Sequence, residues 1–298
     1  MILVAGSTGL LGSEICRQLT KQEKPVKALV RKTSSPDKIA TLVNMGCSLT
    51  EGDFKDKPSL INASKGCDVV VSTVSSTLSR QEGDNIQTVD HEGNLNLISA
   101  AKESGVKKII FISFRHQYAP ENPLTEAKRA AEQSIINSGM EYTILQASIF
   151  MEVWLSPALG FNYANHAVQI PGDGTQPISY VSFKDVAAFA AACVDNNSVV
   201  NKILDIGGPE PLSPSQVIKE FENISGHSFA VQYIPVAILE QQMKEAQDPL
   251  QKAFAGLMIF YANGDAMDMK PVLEKIPVKL HSLKDYAAAV LNKTEALP

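Results

Sequence analysis

Met1-Ile-Leu-Val-Ala5-Gly6-Ser7-Thr8-Gly9-Leu10-Leu11-Gly12 opens the chain and decides the fold. Its first five residues predict a buried strand, and the amphipathic stretch Gly9–Lys21 predicts the helix that follows. The three glycines lie at the junction with the spacing G-x-x-G-x-x-G, which suits a tight turn, a close approach of backbone to a pyrophosphate, and close helix–strand packing. The junction therefore predicts a phosphate-binding turn, although three glycines could also serve a tight turn alone.

Strand and helix segments alternate along the first half of the chain. The candidate strands are Met1–Ala5, Val26–Val30, Ser48–Glu51, Val69–Thr73, Lys108–Ser113 and Tyr142–Gln146. The candidate helices between them are Gly9–Lys21, Pro36–Met45, Pro58–Ser64, His91–Ser104 and Pro123–Asn137. Alternation at this spacing predicts right-handed βαβ units and an α/β fold with a doubly wound parallel Rossmann sheet.

After Gln146 the alternation loosens. Further candidate helices are Phe183–Asp195, Ser213–Ser225, Val236–Glu245, Asp248–Tyr261 and Ser282–Leu291, and one more strand is Lys202–Ile206. We expect a Rossmann domain over residues 1–150 and a smaller, mainly α-helical substrate-binding subdomain over residues 151–298. The segment of about residues 180–206 is expected to return to the Rossmann sheet.

Composition narrows the class of protein. The 27 basic and 32 acidic residues give a net charge of −5, which offers no electrostatic case for binding nucleic acid or an anionic membrane surface. The longest apolar stretches are too short to span a bilayer, and the chain starts on a strand rather than a signal peptide. The four cysteines stand singly and the histidines lack metal-ligand spacing, so we expect reduced thiols in a cytoplasmic protein without a metal.

The end of the second strand predicts which dinucleotide binds. An acidic residue there would bond the ribose hydroxyls of NAD, whereas an arginine accommodates the extra phosphate of NADP. This chain has Arg31 and Lys32, followed by Thr33, Ser34 and Ser35. Because arginine suits bidentate phosphate contacts, the stretch predicts NADP(H), with a solvated loop as the alternative.

Taken together, these residues resemble the NmrA-like, atypical branch of the short-chain dehydrogenase/reductases. The motifs that carry the resemblance are Gly6–Gly12, Ala28–Arg31, Gly52-Asp53, Val106–Ser113, Lys128 with Glu132, Gly172–Gly174 leading to Ser182–Ala187, and Ile206–Glu210. They run through the chain in family order. The resemblance says little about the substrate.

Several site positions follow from the resemblance. It implies that Asp53 and Phe54 lie against the adenine, although Asp53 could instead cap a helix. It implies that Thr73, Val74 and Ser75 form a loop beneath the cofactor. It also places Ser113 beside the nicotinamide, and it places Phe150, with Met151, along the nicotinamide face.

The sequence departs from the enzymes of the wider superfamily at one position. Their catalytic tyrosine lies four residues before a lysine on the same helix, and the residue four before Lys128 is Leu124. Lys128 is expected to contact the nicotinamide ribose and to deliver a proton through a lowered pKa, or else to pair with Glu132. His116 and Tyr118, in the loop after Ser113, are the other candidate proton donors.

Aromatic residues suggest the kind of substrate. Trp154, Phe161 and Tyr163, with a second patch at Leu257–Tyr261, would suit a flat apolar molecule, unless they serve as core and dimer surface. We therefore expect an NADPH-dependent reductase that transfers hydride to a small apolar acceptor such as a quinone, enone or aromatic carbonyl. The alternative is a non-enzymatic NADP(H)-binding redox sensor; either protein could be a monomer or a homodimer.

Overall fold

The computed structural model describes residues 1–78, 80–115 and 119–292. The chain forms two compact units. The first comprises residues 1–114, 123–146 and 186–204, and the second comprises residues 115–122, 147–185 and 205–298. Each unit therefore contains segments from several parts of the chain.

Within the described ranges the strands are β1 (Ile2–Ala5), β2 (Val26–Val30), β3 (Ser48–Glu51), β4 (Val69–Ser72), β5 (Lys108–Phe114), β6 (Glu141–Ala147), β7 (Phe161–Asn162), β8 (Ala167–Pro171), β9 (Lys202–Ile206) and β10 (Ala230–Ile234). The α-helices are α1 (Leu10–Lys21), α2 (Pro36–Asn44), α3 (Lys57–Ser64), α4 (Glu92–Glu103), α5 (Pro123–Ile136), α6 (Met151–Trp154), α7 (Phe183–Cys193), α8 (Pro214–Ser225), α9 (Val236–Glu245), α10 (Pro249–Asn263), α11 (Lys270–Leu273) and α12 (Leu283–Leu291).

A seven-stranded sheet organises the first unit. Its order is β3-β2-β1-β4-β5-β6-β9, and β1 pairs in parallel with both β2 and β4. All four residues of β1 are buried, as expected for a central strand with flanking helices on both faces. The strand order reverses direction between β1 and β4, so the carboxyl ends of these strands meet at the place where such sheets bind ligands. The predicted doubly wound Rossmann fold is confirmed.

The second unit contains a small sheet that the sequence patterns did not predict. Its order is β10-β8-β7, with β8 parallel to β10 and antiparallel to β7. The prediction of a mainly helical segment did not include this sheet. Because β10 is mostly exposed and β7 has two residues, neither strand shows a clear alternation of apolar and polar residues. Phe161, on β7, packs against Phe221 and Phe229.

One helix begins differently from its prediction. The segment expected as a single α-helix from His91 is preceded by a π-helical turn over Ile86–His91, and α4 starts at Glu92. Asn85 caps the π-turn through a hydrogen bond from Thr88 N. A π-turn displaces the residues around it from regular helical positions, and such turns are frequent at functional sites.

The described residues can be compared with the requirements of membrane spans, metal sites and disulfides. Every described helix is too short or too polar to pass through a bilayer. In the same ranges, no three His, Cys, Asp or Glu side chains are grouped as a metal site would require. All four cysteines are buried and free.

Candidate functional site

The glycine turn joins β1 to α1 through close backbone contacts. Gly6 has a φ of +83°, and a Cβ added there would lie 2.5 Å from Thr73 Oγ1. A Cβ on Gly12 would lie 2.1 Å from the Gly6 carbonyl oxygen. Both positions therefore require glycine: the first for conformation and space, the second because helix and turn touch.

Gly9 is a glycine for a different reason. It is the N-cap of α1 with a φ of −84°, a conformation open to any residue, and an added Cβ would contact only the Gly6 oxygen, at 3.2 Å. Its missing side chain therefore leaves space beside the first turn of α1. The unpaired N–H groups of a helix N-terminus attract anions such as phosphate.

The other residues of the turn differ in what they can offer. Ser7 is fully buried and its hydroxyl donates to the Leu29 carbonyl at 2.7 Å, while Leu11 lies in the core. These two residues could contact a ligand only through their backbone. Thr8 and Leu10 are half-buried, so their side chains stay accessible.

A cluster of charged residues lies after β2 and β3. Arg31 Nη1 is 2.6 Å from Asp84 Oδ2, and Lys55 Nζ is 2.6 Å from Asp84 Oδ1. We call Arg31, Lys55 and Asp84 the cation corner. Burial by itself would raise the pKa of the Asp84 carboxyl, but the hydrogen bonds from Lys55, Arg31 and Gln81 N together lower it. Lys32 is 82% exposed, and within the described ranges it forms an ion pair with the exposed Glu51, at 3.5 Å.

Asp53 and Phe54 face different surroundings. Asp53 is half-buried, and its Oδ1 accepts a hydrogen bond from Lys55 N at 2.8 Å. Asp53 is not a helix cap, because α3 starts at Lys57 with Asp56 in the N-cap position. Phe54 packs into the hydrophobic core of the first unit. Asp53 is thus the more accessible of the two.

The loop after β4 runs beside the glycine turn. Thr73 Oγ1 donates to the Ala5 carbonyl at 3.2 Å, and an added Cβ on Gly6 would lie 3.2 Å from Val74 Cγ2. Ser75 is half-buried and its hydroxyl contacts Thr77 Oγ1 at 3.1 Å. The carboxyl ends of β1 and β4 are therefore joined into one surface.

Lys128, on α5, lies against that loop and is only 6% exposed. Its Nζ is 3.4 Å from the Val74 carbonyl oxygen and 5.2 Å from the centre of the Phe111 ring. Burial lowers the pKa of Lys128, while the charges of Asp90 and Glu132 act in the opposite direction. The carboxylate of Glu132 accepts hydrogen bonds from Gln146 Nε2 at 3.1 and 3.0 Å. We call Lys128, Val74, Phe111 and Asp90 the Lys128 site.

Ser113 lies on β5, the strand that also carries Phe111. It is 5% exposed, and among the described residues its hydroxyl has no hydrogen-bond partner. A buried hydroxyl without a partner is costly unless a ligand or water satisfies it. His116 and Tyr118, the other two predicted proton donors, lie outside the described residues.

The aromatic residues of the second unit form one packed cluster. Trp154 stacks on Tyr261 with 5.1 Å between ring centres, and the Tyr261 and Tyr180 hydroxyls are 2.7 Å apart. Phe161 and Tyr261 are buried, which supports the core-packing alternative for them, whereas Trp154 is half-buried. Phe150 is half-buried at the N-cap of α6, and the adjacent Met151 is 1% exposed.

The sequence pattern of the NmrA-like family matches residues 1–289. This match covers nearly the whole described chain. The chain belongs to the NmrA-like family. The resemblance drawn from its motifs is therefore confirmed.

Relatives of this NmrA-like protein have different functions by name. The photosystem II assembly factor Ycf39 of Synechocystis sp. is 32% identical over 99% of this chain and 93% of that protein. The isoflavone reductase homolog IRL of Zea mays is 30% identical over 84% of this chain and 82% of that protein. The NADPH complex of the quinone oxidoreductase QOR2 from Escherichia coli superposes with a TM-score of 0.81, at 24% identity over 98% of this chain and 100% of that one. That likeness shows a shared fold.

Sequence reasoning about this NmrA-like protein missed three polar residues. Lys55 and Asp84 belong to the cation corner, and Asp90 is fully buried with its Oδ2 accepting from Ser76 N and Ser76 Oγ at 2.9 and 2.6 Å. Asp90 Oδ1 is buried without a hydrogen-bond partner among the described residues. The one available signal in the sequence was Asp90 itself, an acidic residue directly before His91, where the predicted helix begins.

Proposed function

We propose that this NmrA-like protein binds NADP(H) in its first unit. Two features of the first unit fit a bound dinucleotide. The space beside Gly9 is one that a Cβ would enter, and the Ser113 hydroxyl is buried without a partner among the described residues. Residues 6–12 would hold the pyrophosphate through backbone N–H groups. Arg31 and Lys32 would meet the 2′-phosphate, with Asp53 and Phe54 at the adenine.

We further propose that the protein is an NADPH-dependent reductase of a small apolar acceptor such as a quinone, enone or aromatic carbonyl. When bound, NADPH supplies the hydride that such a reduction needs. The observation that carries the proposal is the burial of Lys128 beside the loop after β4. Moving an ammonium group out of water is costly, and here Nζ meets a carbonyl oxygen at 3.4 Å and an aromatic ring.

In this reaction Lys128 would hold and release a proton. Reduction of a carbonyl or quinone oxygen requires one proton for each hydride received, and a general acid works best when its pKa is close to the working pH. Burial moves the pKa of Lys128 in that direction. Lys128 therefore replaces, in function, the tyrosine that Leu124 cannot supply.

Ser113 would support the same step by orienting the acceptor. Its hydroxyl can donate to an oxygen that gains negative charge during the reduction, which is the type of contact that stabilises a transition state. His116 and Tyr118 remain the alternative donors predicted from the sequence.

The aromatic cluster of the second unit supports an aromatic or otherwise flat acceptor. Trp154 offers a half-buried ring that is fixed in orientation by stacking on Tyr261. The names of relatives point in the same direction, because they include an isoflavone reductase homolog and a quinone oxidoreductase.

A second candidate is an NADP(H)-binding sensor that acts on a partner protein. Leu124 at the tyrosine position favours it, and so does the likeness to a photosystem II assembly factor at 32% identity. In this case Lys128 would bind the dinucleotide without transferring a proton.

One experiment separates the two candidates. NADPH oxidation is followed at the nicotinamide absorbance with a panel of quinones, enones and aromatic aldehydes, with NADH as the matched control. The reductase predicts turnover of at least one acceptor and a preference for NADPH over NADH. If no acceptor is turned over, while NADPH alters protease sensitivity or oligomeric state, the sensor is supported instead.

A further inference from the structure

The cation corner contains more than the predicted arginine. The Asp84 side chain is 2% exposed, whereas those of Arg31 and Lys55 are 30% and 34% exposed. The carboxylate thus lies beneath two cations that still reach solvent. Each of its oxygens accepts from one cation, and Oδ2 also accepts from Gln81 N at 3.0 Å.

We propose that Lys55 is a second binding residue for the 2′-phosphate of NADP(H), and that Asp84 is the positioning residue that holds Lys55 beside Arg31. This inference rests on the proposed binding of NADP(H).

Charge and donor geometry support the assignment. Asp84 neutralises one of the two cations, so the corner keeps a net positive charge toward solvent. The Arg31 guanidinium has five N–H donors and gives one of them to Asp84. The Lys55 ammonium has three, of which one goes to the same carboxylate and one to the Glu82 carbonyl oxygen at 3.5 Å. The remaining donors suit the oxygens of a doubly charged phosphate ester.

The loop that carries Asp84 is itself fixed to the strand ends. Gln81 Nε2 donates to the Thr33 carbonyl at 3.3 Å, and the side chains of Gln81 and Thr33 also contact each other. Asp84 N donates back to the Gln81 carbonyl at 2.9 Å. These contacts hold the carboxylate in place, so the two cations need not be ordered when the phosphate arrives, which lowers the entropy cost of binding.

Lys32 is the competing candidate from the sequence. It is 82% exposed, and its ion-pair partner among the described residues, Glu51, is itself 57% exposed, so nothing there fixes its long side chain. An exposed ion pair of this kind contributes little. We therefore expect Lys55 to contribute more than Lys32.

The test measures binding of adenosine 2′,5′-bisphosphate and of AMP by calorimetry, because the two ligands differ by the 2′-phosphate alone. Lys55→Met should reduce the preference for the bisphosphate about tenfold while leaving AMP affinity unchanged. Lys57→Met is the matched control, since Lys57 lies two residues after Lys55, is 35% exposed and pairs with Glu103. It should bind both ligands as the wild type does, and Lys32→Met should change the preference less than Lys55→Met.

Asp84→Asn tests the positioning role. Asparagine keeps one oxygen acceptor but presents an NH₂ group to the other cation, so the preference for the bisphosphate should fall at least threefold. An increase would show that Asp84 competes with the phosphate and would overturn the positioning role. If the Asn variant does not fold, the two lysine variants still decide the binding role.

Failure of this inference differs from failure of the proposed function. If Arg31→Met loses the preference for the bisphosphate over AMP while Lys55→Met keeps it, only the role of Lys55 is refuted. A wild type that binds the bisphosphate and AMP equally well refutes the 2′-phosphate site, and with it the NADP(H) selectivity of the proposed function.

Discussion

Lys55 and Lys128 belong to the same unit but stand in opposite environments. Lys55 is one-third exposed and has a carboxylate 2.6 Å away. Lys128 is 6% exposed, and its Nζ donates to the Val74 carbonyl oxygen at 3.4 Å. A carboxylate partner and water both stabilise an ammonium charge, whereas desolvation favours the neutral form of a buried lysine.

The contrast between Lys55 and Lys128 shows how lysine can serve two purposes, phosphate binding and proton transfer. A lysine paired with a carboxylate at the cation corner suits electrostatic attraction of a phosphate, which needs no proton transfer. A buried lysine with a lowered pKa suits proton transfer, which needs both protonation states to be accessible. Under the proposed function, Lys55 and Lys128 act on one bound dinucleotide.

The largest effect is expected for Gly9→Val, which tests whether the cation corner and the Lys128 site serve one ligand. The branched side chain would enter the space beside the first turn of α1, so NADPH affinity should fall more than about a hundredfold. Calorimetry measures the affinity. Because φ at Gly9 is −84°, the variant should still fold, with an unchanged circular dichroism spectrum.

Gly9→Ala provides the graded control for that variant. Its single added carbon would lie 3.2 Å from the Gly6 oxygen, so affinity should fall less than with valine. Tight NADPH binding by a folded valine variant would show that the glycine turn does not hold the pyrophosphate.

The next effect separates turnover from binding. Lys128→Ala should lower turnover about a hundredfold or more, the usual contribution of a general acid, while NADPH affinity changes less than about tenfold. The measurement is NADPH oxidation with an acceptor that the wild type reduces. A ground-state contact alone would instead change affinity and leave turnover at saturation intact.

Lys108→Met is the matched control for Lys128. Lys108 is also buried and its pKa is also lowered by burial, but it starts β5 and donates to the Cys193 carbonyl at 2.5 Å. Its loss should leave turnover within about twofold of wild type. Full activity of the Lys128 variant would move the proton donor to His116 or Tyr118.

Sequence patterns predicted the first unit better than the second for a physical reason. Central parallel strands such as β1 are continuous apolar runs bounded by turn residues, and β2 was predicted with its observed ends. The edge strands β3 and β9 were also predicted with their observed ends, because Gly52 and Gly207 follow them directly. The pairing of β8 with β10 joins segments more than 60 residues apart, and no local pattern marks it. The π-turn at Ile86–His91 was missed because it precedes the helix that the sequence predicts from His91.

The site shows the same limit. Arg31 and Lys128 were found because each breaks a local pattern, one at a strand end and the other at the edge of an apolar helix stripe. Asp84 contacts Arg31 across 53 residues, and its loop has no periodicity. Residues that act through partners distant in the chain leave no signature in a single sequence.

A third prediction concerns pH. Only protonated Lys128 can donate, so turnover should fall as pH rises through its lowered pKa, with a limiting slope of about tenfold per pH unit. In Lys128→Ala the residual rate should lack this fall. Turnover at saturating NADPH, measured from neutral to alkaline pH, provides the test. A wild-type rate that stays level up to the ordinary pKa of a lysine would contradict proton donation by this residue.

The smallest effect is on stability, and its sign distinguishes the two lysines. Because burial lowers the pKa of Lys128 in the folded protein, the unfolded chain holds this proton more tightly. Charged Lys128 therefore costs stability at neutral pH, and the cost decreases as pH rises from the folded toward the unfolded pKa.

Lys128→Met keeps the hydrocarbon chain without the charge, so it should raise the free energy of unfolding at neutral pH by about 1 kcal/mol. Lys55→Met should lower it, because it removes one of two cations from a buried carboxylate. Urea unfolding of both variants, followed by circular dichroism, measures the two signs; a less stable Lys128→Met would mean that the contacts of Nζ with Val74 and Phe111 outweigh the loss of hydration.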